Sequence, residues 1–203
     1  MKADLHVHTN YSPCSKAMVE DVIKAAKMKG LDTIAVTDHN TIKGALMAKR
    51  KSKGLNIIIG CEKKCEYGEL LLYNLKNEIT SRKFSEIVNE ARKQDAFIFI
   101  AHPTDFIRFN NKWKRLDNET LKLVDGVEYY NGRNLFNKAA LKLSKHGVAG
   151  SDGHYAEEVG NTYVIYSKDL WKEIMGNKAK YFHKNSIFSK IKYLIKSFLN
   201  KHA

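Results

Sequence analysis

The chain has 203 residues, 43% of them hydrophobic, and its 35 Lys and Arg against 22 Asp and Glu leave a formal charge of +13 at pH 7. A chain of this length buries roughly 70% of the surface that its unfolded form exposes, so it can build a core without disulfides. The composition excludes a disordered basic tail and predicts one soluble globular domain.

The first residues contain no apolar signal-peptide stretch, and no run approaches the ~18 apolar residues of a transmembrane helix. The three cysteines, Cys14, Cys61 and Cys65, form no CxxC pair, which excludes a disulfide framework and a zinc ribbon. An odd number of cysteines without a partner pattern indicates a reducing compartment. The sequence therefore predicts a cytoplasmic protein.

Short runs of strand-forming residues alternate along the chain with longer amphipathic stretches. The predicted strands are 2–7, 32–37, 56–61, 69–75, 96–101, 126–130, 148–150 and 162–165. The predicted helices are 19–29, 41–53, 82–93 and 135–145. Gly30 and Gly147 follow two of these helices, where a left-handed cap residue is expected. The alternation is typical of repeated βα units and predicts a single α/β domain over residues 1–166.

Six of the predicted strands end in a cluster of reactive polar side chains. The clusters are His6-Val7-His8, Thr37-Asp38-His39, Gly60-Cys61-Glu62, Ala101-His102-Pro103, residues 128–131 and Ser151-Asp152-Gly153-His154. In a closed parallel β/α barrel the carboxyl ends of the strands open onto one face, where catalytic residues gather. We therefore expect these clusters, which hold five of the eight histidines, to meet in one pocket.

The residue types in these clusters favour metal binding. His6 and His8 alternate along one strand, so both imidazoles point to the same side and can bind one ion, although this pattern alone is equally typical of a structural histidine pair. Adding Glu62, Asp152 and three more histidines favours metal, because burying so many ionisable groups without ions is very costly. Imidazoles outnumber carboxylates, which indicates manganese, iron or zinc rather than magnesium. The ligand count predicts two or three ions about 4 Å apart, with Glu62 as a candidate bridge.

The same residues carry a family resemblance. The series Asp4-x-His6-x-His8-Thr9, Thr37-Asp38-His39-Asn40-Thr41, Gly60-x-Glu62, Ala101-His102-Pro103, Glu128-x-x-Asn131 and Ser151-Asp152-Gly153-His154 closely resembles the polymerase and histidinol phosphatase (PHP) family. The match runs in order from about Lys2 to Ile165. The resemblance implies a distorted seven-stranded β/α barrel of the TIM type. It further implies a cluster of two or three metal ions that hydrolyses phosphate esters.

The resemblance also implies a ligand for each ion. The implied first set is His6, His8, Glu62 and Asp152, with His39 and His154 serving a second ion and His102 with Glu62 a third. Many family members carry an Asp or His shortly after HxHT; here Cys14 either supplies a thiolate to the second ion or leaves that ion weak or absent. Three-metal members often carry a histidine after Gly-x-Glu; here Glu69 is either an oxygen ligand or an exposed turn glutamate.

Catalysis is expected to use a hydroxide, shared by the ions, that attacks phosphorus in line. His102, or a water held by Asp38, is the candidate to protonate the leaving alkoxide, and Asp38 is otherwise expected to orient His39 or a metal-bound water. Three residues are candidates to hold the phosphate: Asn131, Arg133 and Arg108. For the two arginines, solvated loop charge is the favoured alternative.

The positive charge predicts an anionic substrate or partner, because phosphate-rich ligands are steered by such fields. The cations of residues 108–115 surround Trp113, which could stack on a base of single-stranded nucleic acid; a solvated basic loop with Trp113 covering the barrel is the favoured alternative. The apolar residues of 187–199 fall on one helical face. Residues 167–203 are thus predicted to form a basic amphipathic helical extension packed on the barrel, with an anionic membrane or a partner subunit as alternatives.

The leading prediction is a metal-dependent phosphoesterase that acts on a nucleotide, a short oligonucleotide or a small phosphomonoester. One alternative is a non-catalytic basic barrel that binds RNA or a partner protein, although that reading predicts eroded clusters and nearly all positions here are filled. The other alternative is an amidohydrolase-like C–N hydrolase. Such enzymes usually add a bridging carboxylated lysine, and no lysine stands at a suitable strand end.

Overall fold

A computed structural model describes residues 1–105, 113, 118–134 and 137–184 of the chain. The strands in these residues are β1 (Lys2–Val7), β2 (Thr33–Val36), β3 (Asn56–Cys65), β4 (Gly68–Tyr73), β5 (Phe97–Ile100), β6 (Gly126–Asn131), β7 (Gly147–Gly150), β8 (Thr162–Ile165) and β9 (Lys180–His183). The α-helices are α1 (Val19–Met28), α2 (Lys43–Lys51), α3 (Phe84–Arg92), α4 (Asn118–Leu121) and α5 (Leu170–Met175). Two 3₁₀ helices, Asn137–Lys142 and Ala156–Glu158, lie in the connections after β6 and β7.

The strands form one sheet in the order β7-β6-β5-β4-β3-β2-β1-β8-β9. β4 is antiparallel to both of its neighbours, β3 and β5, and β8 is antiparallel to both β1 and β9. The strands β1, β2, β3, β5, β6 and β7 consequently run in one direction. Five of the six polar clusters lie at or just beyond the carboxyl end of one of these strands. Residues 60–62 lie within β3, where its pairing passes from the parallel β2 to the antiparallel β4, so the topology carries all six clusters to the same end of the sheet.

The sheet closes on itself between β1 and the segment that follows β7. The backbone N–H of Asp152 donates to the carbonyl oxygen of His6 at 2.7 Å, and the N–H of His8 donates to the carbonyl oxygen of Gly153 at 2.9 Å. The predicted α/β barrel is thus confirmed as a nearly closed barrel-like sheet. Its sheet has nine strands in the described residues, where the family resemblance implied seven.

The hairpin of β8 and β9 extends the sheet past β1. The hydroxyl of Tyr181 in β9 donates to the carbonyl oxygen of Gly147 in β7 at 2.9 Å, which ties this hairpin to the opposite edge strand. Residues 180–183 carry no strand prediction, because a segment of four residues without alternation of polar and apolar residues is a weak signal. Pairing with β8 makes this segment a strand.

The packing follows the apolar pattern of each element. Helices α1 and α2 cover the outer face of β1 and β2, and α3 covers the outer face of β4 and β5. The residues that α1 buries recur three and four positions apart and form one face: Val19, Val22, Ile23 and Ala26. Inside the barrel a second set of apolar side chains packs against α5, including Leu5, Tyr73, Phe99, Val148, Val164 and Ile174.

Helix α5 plugs the amino-terminal end of the barrel. The ring of Trp171 stacks on Phe97 at the start of β5, with 4.4 Å between centroids, and lies 5.2 Å from the ring of Tyr73 at the end of the antiparallel β4. Just before this helix, the hydroxyls of Tyr166 and Thr33 are 3.0 Å apart at the start of β2. Apolar packing therefore fills one end of the barrel, and the polar clusters occupy the other.

The predicted α-helix over residues 135–145 is wrong for the part that the structure describes. Residues Asn137–Lys142 form a 3₁₀ helix instead. The Asn137 side chain holds the start of this segment, because its Nδ2 donates to the backbone oxygens of Asn131 and Asn134 at 3.0 and 3.1 Å. These side-chain bonds compete with the pattern of an α-helix.

The two glycines predicted to cap helices behave differently. Gly30 follows α1 with φ of 65°, the left-handed conformation that the prediction requires. Gly147 begins β7, and a Cβ atom at this position would fall 2.3 Å from the ring of Tyr129. This position therefore requires a residue without a side chain, and Gly147 does not cap a helix.

The predicted C-terminal helix over 187–199 lies outside the described residues. In the described ranges, no helix has both the length and the apolar composition that crossing a membrane requires. The segment between residues 166 and 184 belongs to the barrel, since it supplies α5 to the interior and β9 to the sheet.

Candidate metal centre

The carboxyl ends of the parallel strands bring the predicted ligands into one cluster. Nine side chains that the sequence singled out lie in it or on its edge: His6, His8, Cys14, His39, Glu62, Glu69, His102, Asp152 and His154. Six of the nine are buried, whereas Cys14, His39 and Glu69 are partly buried. Their convergence follows directly from the sheet order, because every one of the six clusters ends at this face.

One group of ligands joins β1 to the end of β7. The Nε2 atoms of His6 and His8 are 3.1 Å apart. Asp152 Oδ1 lies 3.2 Å from His8 Nε2 and 3.5 Å from His6 Nε2. These three ligand atoms lie within 4.8 Å of one another, which suits binding to a single cation.

Glu62 lies at the centre of the cluster. Its Oε2 is 3.1 Å from His39 Nδ1, 3.3 Å from His8 Nε2 and 3.4 Å from His6 Nε2, and its Oε1 is 2.8 Å from His102 Nε2. Glu62 Oε2 is buried and has no hydrogen-bond partner among the described residues. A buried carboxylate oxygen that is surrounded by imidazole nitrogens fits a divalent cation, which would satisfy the oxygen and the nitrogens together.

Two further groups of candidate ligands share residues with the first. His8, His39 and His154 form one, and His39, Glu62 and Glu69 form the other. Glu69 reaches the cluster because β4 is antiparallel and therefore begins where its parallel neighbours end; its carboxylate oxygens lie 3.8 Å from His39 Nδ1 and 3.5 Å from His102 Nε2. The donor set of imidazoles and carboxylates fits transition-metal ions.

Hydrogen bonds on the far side of three imidazole rings assign their tautomers. His6 Nδ1 lies 2.9 Å from Glu128 Oε1, and His8 Nδ1 lies 3.1 Å from Ser12 Oγ. His154 Nδ1 lies 2.8 Å from the backbone oxygen of Asp152. When each Nδ1–H donates to its oxygen, Nε2 is the ring nitrogen that would bind a metal ion.

Asp38 lies next to the cluster and stabilises the loop that follows β1 by accepting hydrogen bonds from it. Its Oδ1 accepts hydrogen bonds from the Thr9 N–H and the Ser12 hydroxyl, both at 2.7 Å, and its Oδ2 accepts from the Thr9 hydroxyl at 2.6 Å. Ser12 in turn accepts from His8 Nδ1 and from the backbone N–H of His39 at 3.0 Å. The structure thus places Asp38 where it orients His8 through Ser12.

Asn131, predicted to hold phosphate, is placed between two carboxylates. Its Nδ2 donates to Glu128 Oε2 at 3.0 Å and to Asp152 Oδ2 at 3.2 Å. Its Oδ1 accepts from the backbone N–H groups of Arg133 and Asn134. This arrangement fixes Asp152 with Oδ1 turned toward His6 and His8.

The two predicted arginines and Cys14 differ in how they relate to the cluster. Arg133 Nη2 lies 3.2 Å from Glu158 Oε1, and Glu158 also accepts from the backbone N–H of His154 at 2.6 Å, so this arginine borders the site. Arg108 lies outside the described residues. The Cys14 sulfur hydrogen-bonds with the imidazole of His39.

Burial and neighbouring charge shift the pKa values of the cluster in opposite directions. Burial disfavours charge on His39, but the Glu62 carboxylate and Cys14 outweigh it and raise the pKa of His39 to about 9. Burial likewise opposes charge on His6, yet the carboxylates of Glu128, Asp152 and Glu62 raise its pKa well above the ordinary value. The pKa of His154 falls well below its ordinary value through burial and the nearby His8. A cation that binds His6 and His39 would therefore compete with protons, and this competition would be weaker at His154.

The backbone is strained at two of the candidate ligands. His102 has φ of 28° and Asp152 has φ of 53°, in a region that residues with a side chain seldom adopt. Such strain persists only where the surrounding structure holds it, and it concentrates at functional sites. At both positions a sharp change of direction after a strand turns the side chain into the cluster.

Trp113 is only 5% exposed and packs between the rings of Tyr67 and Phe84, with centroids 6.3 and 6.2 Å away. A Cβ atom on Gly68 would fall 2.6 Å from the indole nitrogen, so this glycine lets the indole approach the hairpin. The indole ring therefore packs on the barrel, as predicted for Trp113, and is not presented to a base.

Two residues that position ligands were not among the predicted site residues. Glu128 belongs to a predicted strand-end cluster without an assigned role, and Ser12 carries no prediction. Glu128 binds the Nδ1 of His6 and also accepts from the backbone N–H of His102 at 2.8 Å. A buried carboxylate at a strand end near a predicted metal ligand is the signal that could have found it.

The fold and this cluster define a metal-dependent α/β barrel protein. The PHP domain family model matches residues 4–192, so the chain belongs to the PHP domain family.

Two relatives of this chain are uncharacterized proteins of Methanocaldococcus jannaschii. One is 34% identical over 145 residues, which cover 64% of this chain and 82% of that protein; the other is 35% identical over 185 residues, which cover 83% and 71%. Both alignments therefore span most of the relative's length.

Among solved structures, a two-domain protein from Bacteroides vulgatus, described as containing a predicted PHP-like metal-dependent phosphoesterase, matches with a TM-score of 0.76 at 18% identity. The match covers 90% of this chain and 64% of that one. An amidohydrolase from Chromobacterium violaceum with bound sulfate matches with a TM-score of 0.65 at 16% identity, over 88% of this chain and 97% of that one. At these identities the likeness is one of fold.

Proposed function

We propose that the protein hydrolyses phosphate esters at this metal centre. The observation that carries the proposal is the position of Glu62, whose buried Oε2 lies within 3.4 Å of nitrogens from His6, His8 and His39. Membership of the PHP family supports the same reaction class. When bound, two or three divalent ions supply Lewis-acid stabilisation of the phosphoryl oxygens and an activated water.

The chain's own residues prepare the centre in two ways. Glu128 and Ser12 hold the proton of His6 and His8 on Nδ1, which leaves Nε2 directed at the cluster. Asn131 holds Asp152 by its Oδ2. This preorganisation means that the ligands need little rearrangement when ions and substrate bind.

His102 is suited to protonate the leaving oxygen. Its Nε2 lies 2.8 Å from Glu62 Oε1 and 3.5 Å from Glu69 Oε2, so this nitrogen lies at the edge of the cluster. A proton held at the edge of the cluster can pass to an alkoxide as the phosphorus–oxygen bond breaks. Asp38 contributes through Ser12 and does not need to meet substrate.

The substrate that we propose is a nucleotide, a short oligonucleotide or a small phosphomonoester in the cytoplasm. The formal charge of +13 supports an anionic substrate, and Arg133 at the edge of the cluster is a candidate phosphate contact. Manganese, iron and zinc are the ions that the imidazole-rich donor set favours.

The C–N hydrolase alternative is less well supported by the strand that carries Glu62. Such a site needs a lysine that reaches both ions, and Lys63 follows Glu62 on β3. Lys63 is buried on the opposite face, where its Nζ donates to the backbone oxygen of Ile79 at 2.6 Å. It therefore does not reach the cluster.

The test combines elemental analysis of the purified, unchelated protein with turnover of an aryl phosphate monoester, an aryl phosphate diester and an aryl amide, each with added manganese. We expect transition metal in the protein and turnover of at least one phosphate ester. His6→Ala and Asp152→Ala should each abolish turnover while the circular dichroism spectrum is unchanged. His146→Ala is the matched control, because this histidine lies outside the centre and contacts Asn177.

Turnover like that of the wild type in both variants would refute the proposal. Turnover of the amide alone would support the C–N hydrolase. Protein with no metal, no turnover and tight RNA binding would support the non-catalytic barrel.

A further inference from the structure

A groove lies at the amino-terminal end of the barrel, opposite the metal centre. It is bounded by the starts of β2 and β3, the end of the antiparallel β4 and the segment that leads into α5. Its volume is about 680 Å³, which is within the range of small-molecule sites. We call it the plug groove, because α5 forms one wall; its lining includes Thr33, Lys49, Asn74, Tyr166, Lys168 and Trp171.

One part of the plug groove is apolar. Ile58 and Leu170 line it with side chains that are 7% and 8% exposed, and Trp171 beside them is half-buried. The indole of Trp171 stacks on Phe97 with 4.4 Å between centroids, which fixes its orientation. The apolar body of a ligand can therefore pack against a surface that is already in place.

A buried pair of hydroxyls in the plug groove has one hydrogen too many. Thr33 is 1% exposed and Tyr166 is 9% exposed, and their hydroxyl oxygens are 3.0 Å apart. Asn56 Nδ2 donates to the same Thr33 oxygen at 3.4 Å. Whichever hydroxyl donates to the other, the second hydroxyl hydrogen has no acceptor among the described residues. Because a buried donor without an acceptor is costly, this pair favours a ligand that brings an oxygen acceptor into the groove.

Two further donors in the lining are free. The indole N–H of Trp171 and the side-chain amide of Asn74 form no hydrogen bond in the ranges that the structure describes. Neither group is enclosed by protein, so a ligand can reach both. Together with the hydroxyl pair, they give the plug groove donors from three directions.

The charges around the plug groove also favour an anion. Lys49 at the end of α2 and Lys168 before α5 are exposed, and neither forms an ion pair with any residue described in the structure. Lys76 lies 3.2 Å from Asp95, but both side chains are more than half exposed and such a pair contributes little. The acid of the lining, Asp169, already accepts from a backbone N–H of α5 at 3.0 Å.

We propose that the plug groove is a second binding site, for a small organic anion that joins a carboxylate or a phosphate group to an apolar ring. The hydroxyl pair, Trp171 and Asn74 donate to the anionic oxygens, Lys49 and Lys168 supply the positive charge, and the apolar part of the groove holds the ring. The ligand contacts β2, β3 and α5 together, so its binding stabilises the plug. The site does not depend on the proposed phosphoesterase function.

The test titrates the full-length protein with phenylphosphonate, benzoate and neutral benzyl alcohol, none of which contains an ester to hydrolyse. The chain has two tryptophans, so Trp113→Phe leaves Trp171 as the fluorescent reporter in the groove. We expect a saturable change in fluorescence with at least one anion and none with benzyl alcohol. The tighter of the two anions identifies phosphate or carboxylate as the preferred group. Affinity should be the same with and without a chelator, because the metal centre lies at the other end of the barrel.

Calorimetry on protein that keeps both tryptophans provides the second measurement. Lys49→Met with Lys168→Met should weaken binding of the anion by about tenfold, because contacts with charged groups are lost. Lys24→Met, an exposed charge on α1, is the matched control and should leave the affinity within about twofold.

Four results would each overturn the plug groove as an anion site. They are the absence of saturable binding, equal binding of benzyl alcohol, an affinity that the double substitution leaves unchanged, and calorimetric binding that a chelator abolishes. The last result would place the anion at the metal centre. None of the four bears on whether the protein hydrolyses phosphate esters.

Discussion

The two ends of the barrel use the same strands for opposite purposes. At the amino-terminal end, Phe97 and Tyr73 pack against the Trp171 ring, with centroids 4.4 and 5.2 Å away. At the carboxyl end, Glu62 of β3 and His102, two residues beyond β5, are buried with their side chains 2.8 Å apart. The first end gains free energy of folding from apolar burial, whereas the second buries groups that water would otherwise solvate.

This difference shows that residues outside the candidate metal centre hold its buried side chains in place. Buried ionisable groups are tolerated at the carboxyl end because a hydrogen-bond network in which Asp38 and Glu128 accept and Asn131 donates fixes them, and because a cation would satisfy Glu62 Oε2. Substitutions at the two ends should consequently separate activity from stability. The four predictions that follow are ordered from the largest expected effect to the smallest.

Glu62→Gln should abolish turnover of phosphate esters and remove bound metal. The carboxylate lies close to His6, His8, His39 and His102, and an amide carries no charge to attract a cation. Elemental analysis and initial rates are the measurements. Glu86→Gln, an exposed residue of α3, should keep both properties. Full metal content in the Glu62 variant would show that this residue is not at the centre of the site.

Trp171→Ala should lower the free energy of unfolding by about 3 kcal/mol, because it removes a large aromatic side chain from the plug. For a chain of this size, that corresponds to a fall in Tm of roughly 6–12 °C. Metal content below the transition should match that of the wild type, and Trp171→Phe should recover part of the stability. Loss of metal from the folded Trp171→Ala protein would contradict the separation of the two ends.

Glu128→Gln should weaken metal affinity by about 10- to 100-fold without abolishing it, because the carboxylate no longer raises the basicity of His6 through Nδ1. Ser12→Ala tests the same role at His8, where the hydrogen bond is 3.1 Å. Competition with a chromogenic chelator measures the affinity. Unchanged affinity in both variants would mean that the tautomers are not set by these two partners.

The pH dependence of the metal-free protein should reflect His39. Its pKa rises from the ordinary 6.5 to about 9 in the folded state, so its contribution to stability is fully present below about pH 6.5 and is lost as the pH rises through about 9. His6 shifts in the same direction. With a chelator present, Tm should fall by a few degrees over this range.

Added metal should change the way in which the Tm depends on pH. Ions bind the deprotonated imidazoles, so added manganese should raise Tm more at pH 9 than at pH 6.5. Calorimetry or fluorescence-detected unfolding at both pH values provides the measurement. A metal-induced shift in Tm that is larger at pH 6.5 would contradict protonation of His39 and His6 in the metal-free protein.

Much of the fold was predictable from the sequence because strand-forming runs and amphipathic stretches are local patterns. The segments of β1, α1 and α3 were predicted within about two residues, since their buried faces follow the expected periods. The segment after β6 was predicted as an α-helix and is a 3₁₀ helix where described, because the side chain of Asn137 bonds to the preceding backbone. Strand β9 carried no prediction because its pairing partner, and not its composition, defines it.

The candidate site likewise contains residues that could be predicted from the sequence and residues that could not. The histidines and carboxylates at the strand ends could be selected from the sequence, because their residue types indicate metal chemistry and the βα pattern indicates a shared face. The antiparallel direction of β4, which brings Glu69 beside His39, could not be predicted in that way. Strand direction depends on which neighbours pair, and no local pattern records it.

By itself, the sequence determined the class of chemistry: HxH, Thr-Asp-His and the late Asp152 and His154 specify ligands through residue type and spacing. Only the tertiary structure decided which atoms face the ions. Glu128 and Ser12 choose the nitrogen that His6 and His8 present, and Asn131 chooses the oxygen that Asp152 presents. The physical reason is that tautomers and carboxylate orientation are set by hydrogen bonds between residues up to 122 positions apart in the chain, which form only when the barrel closes.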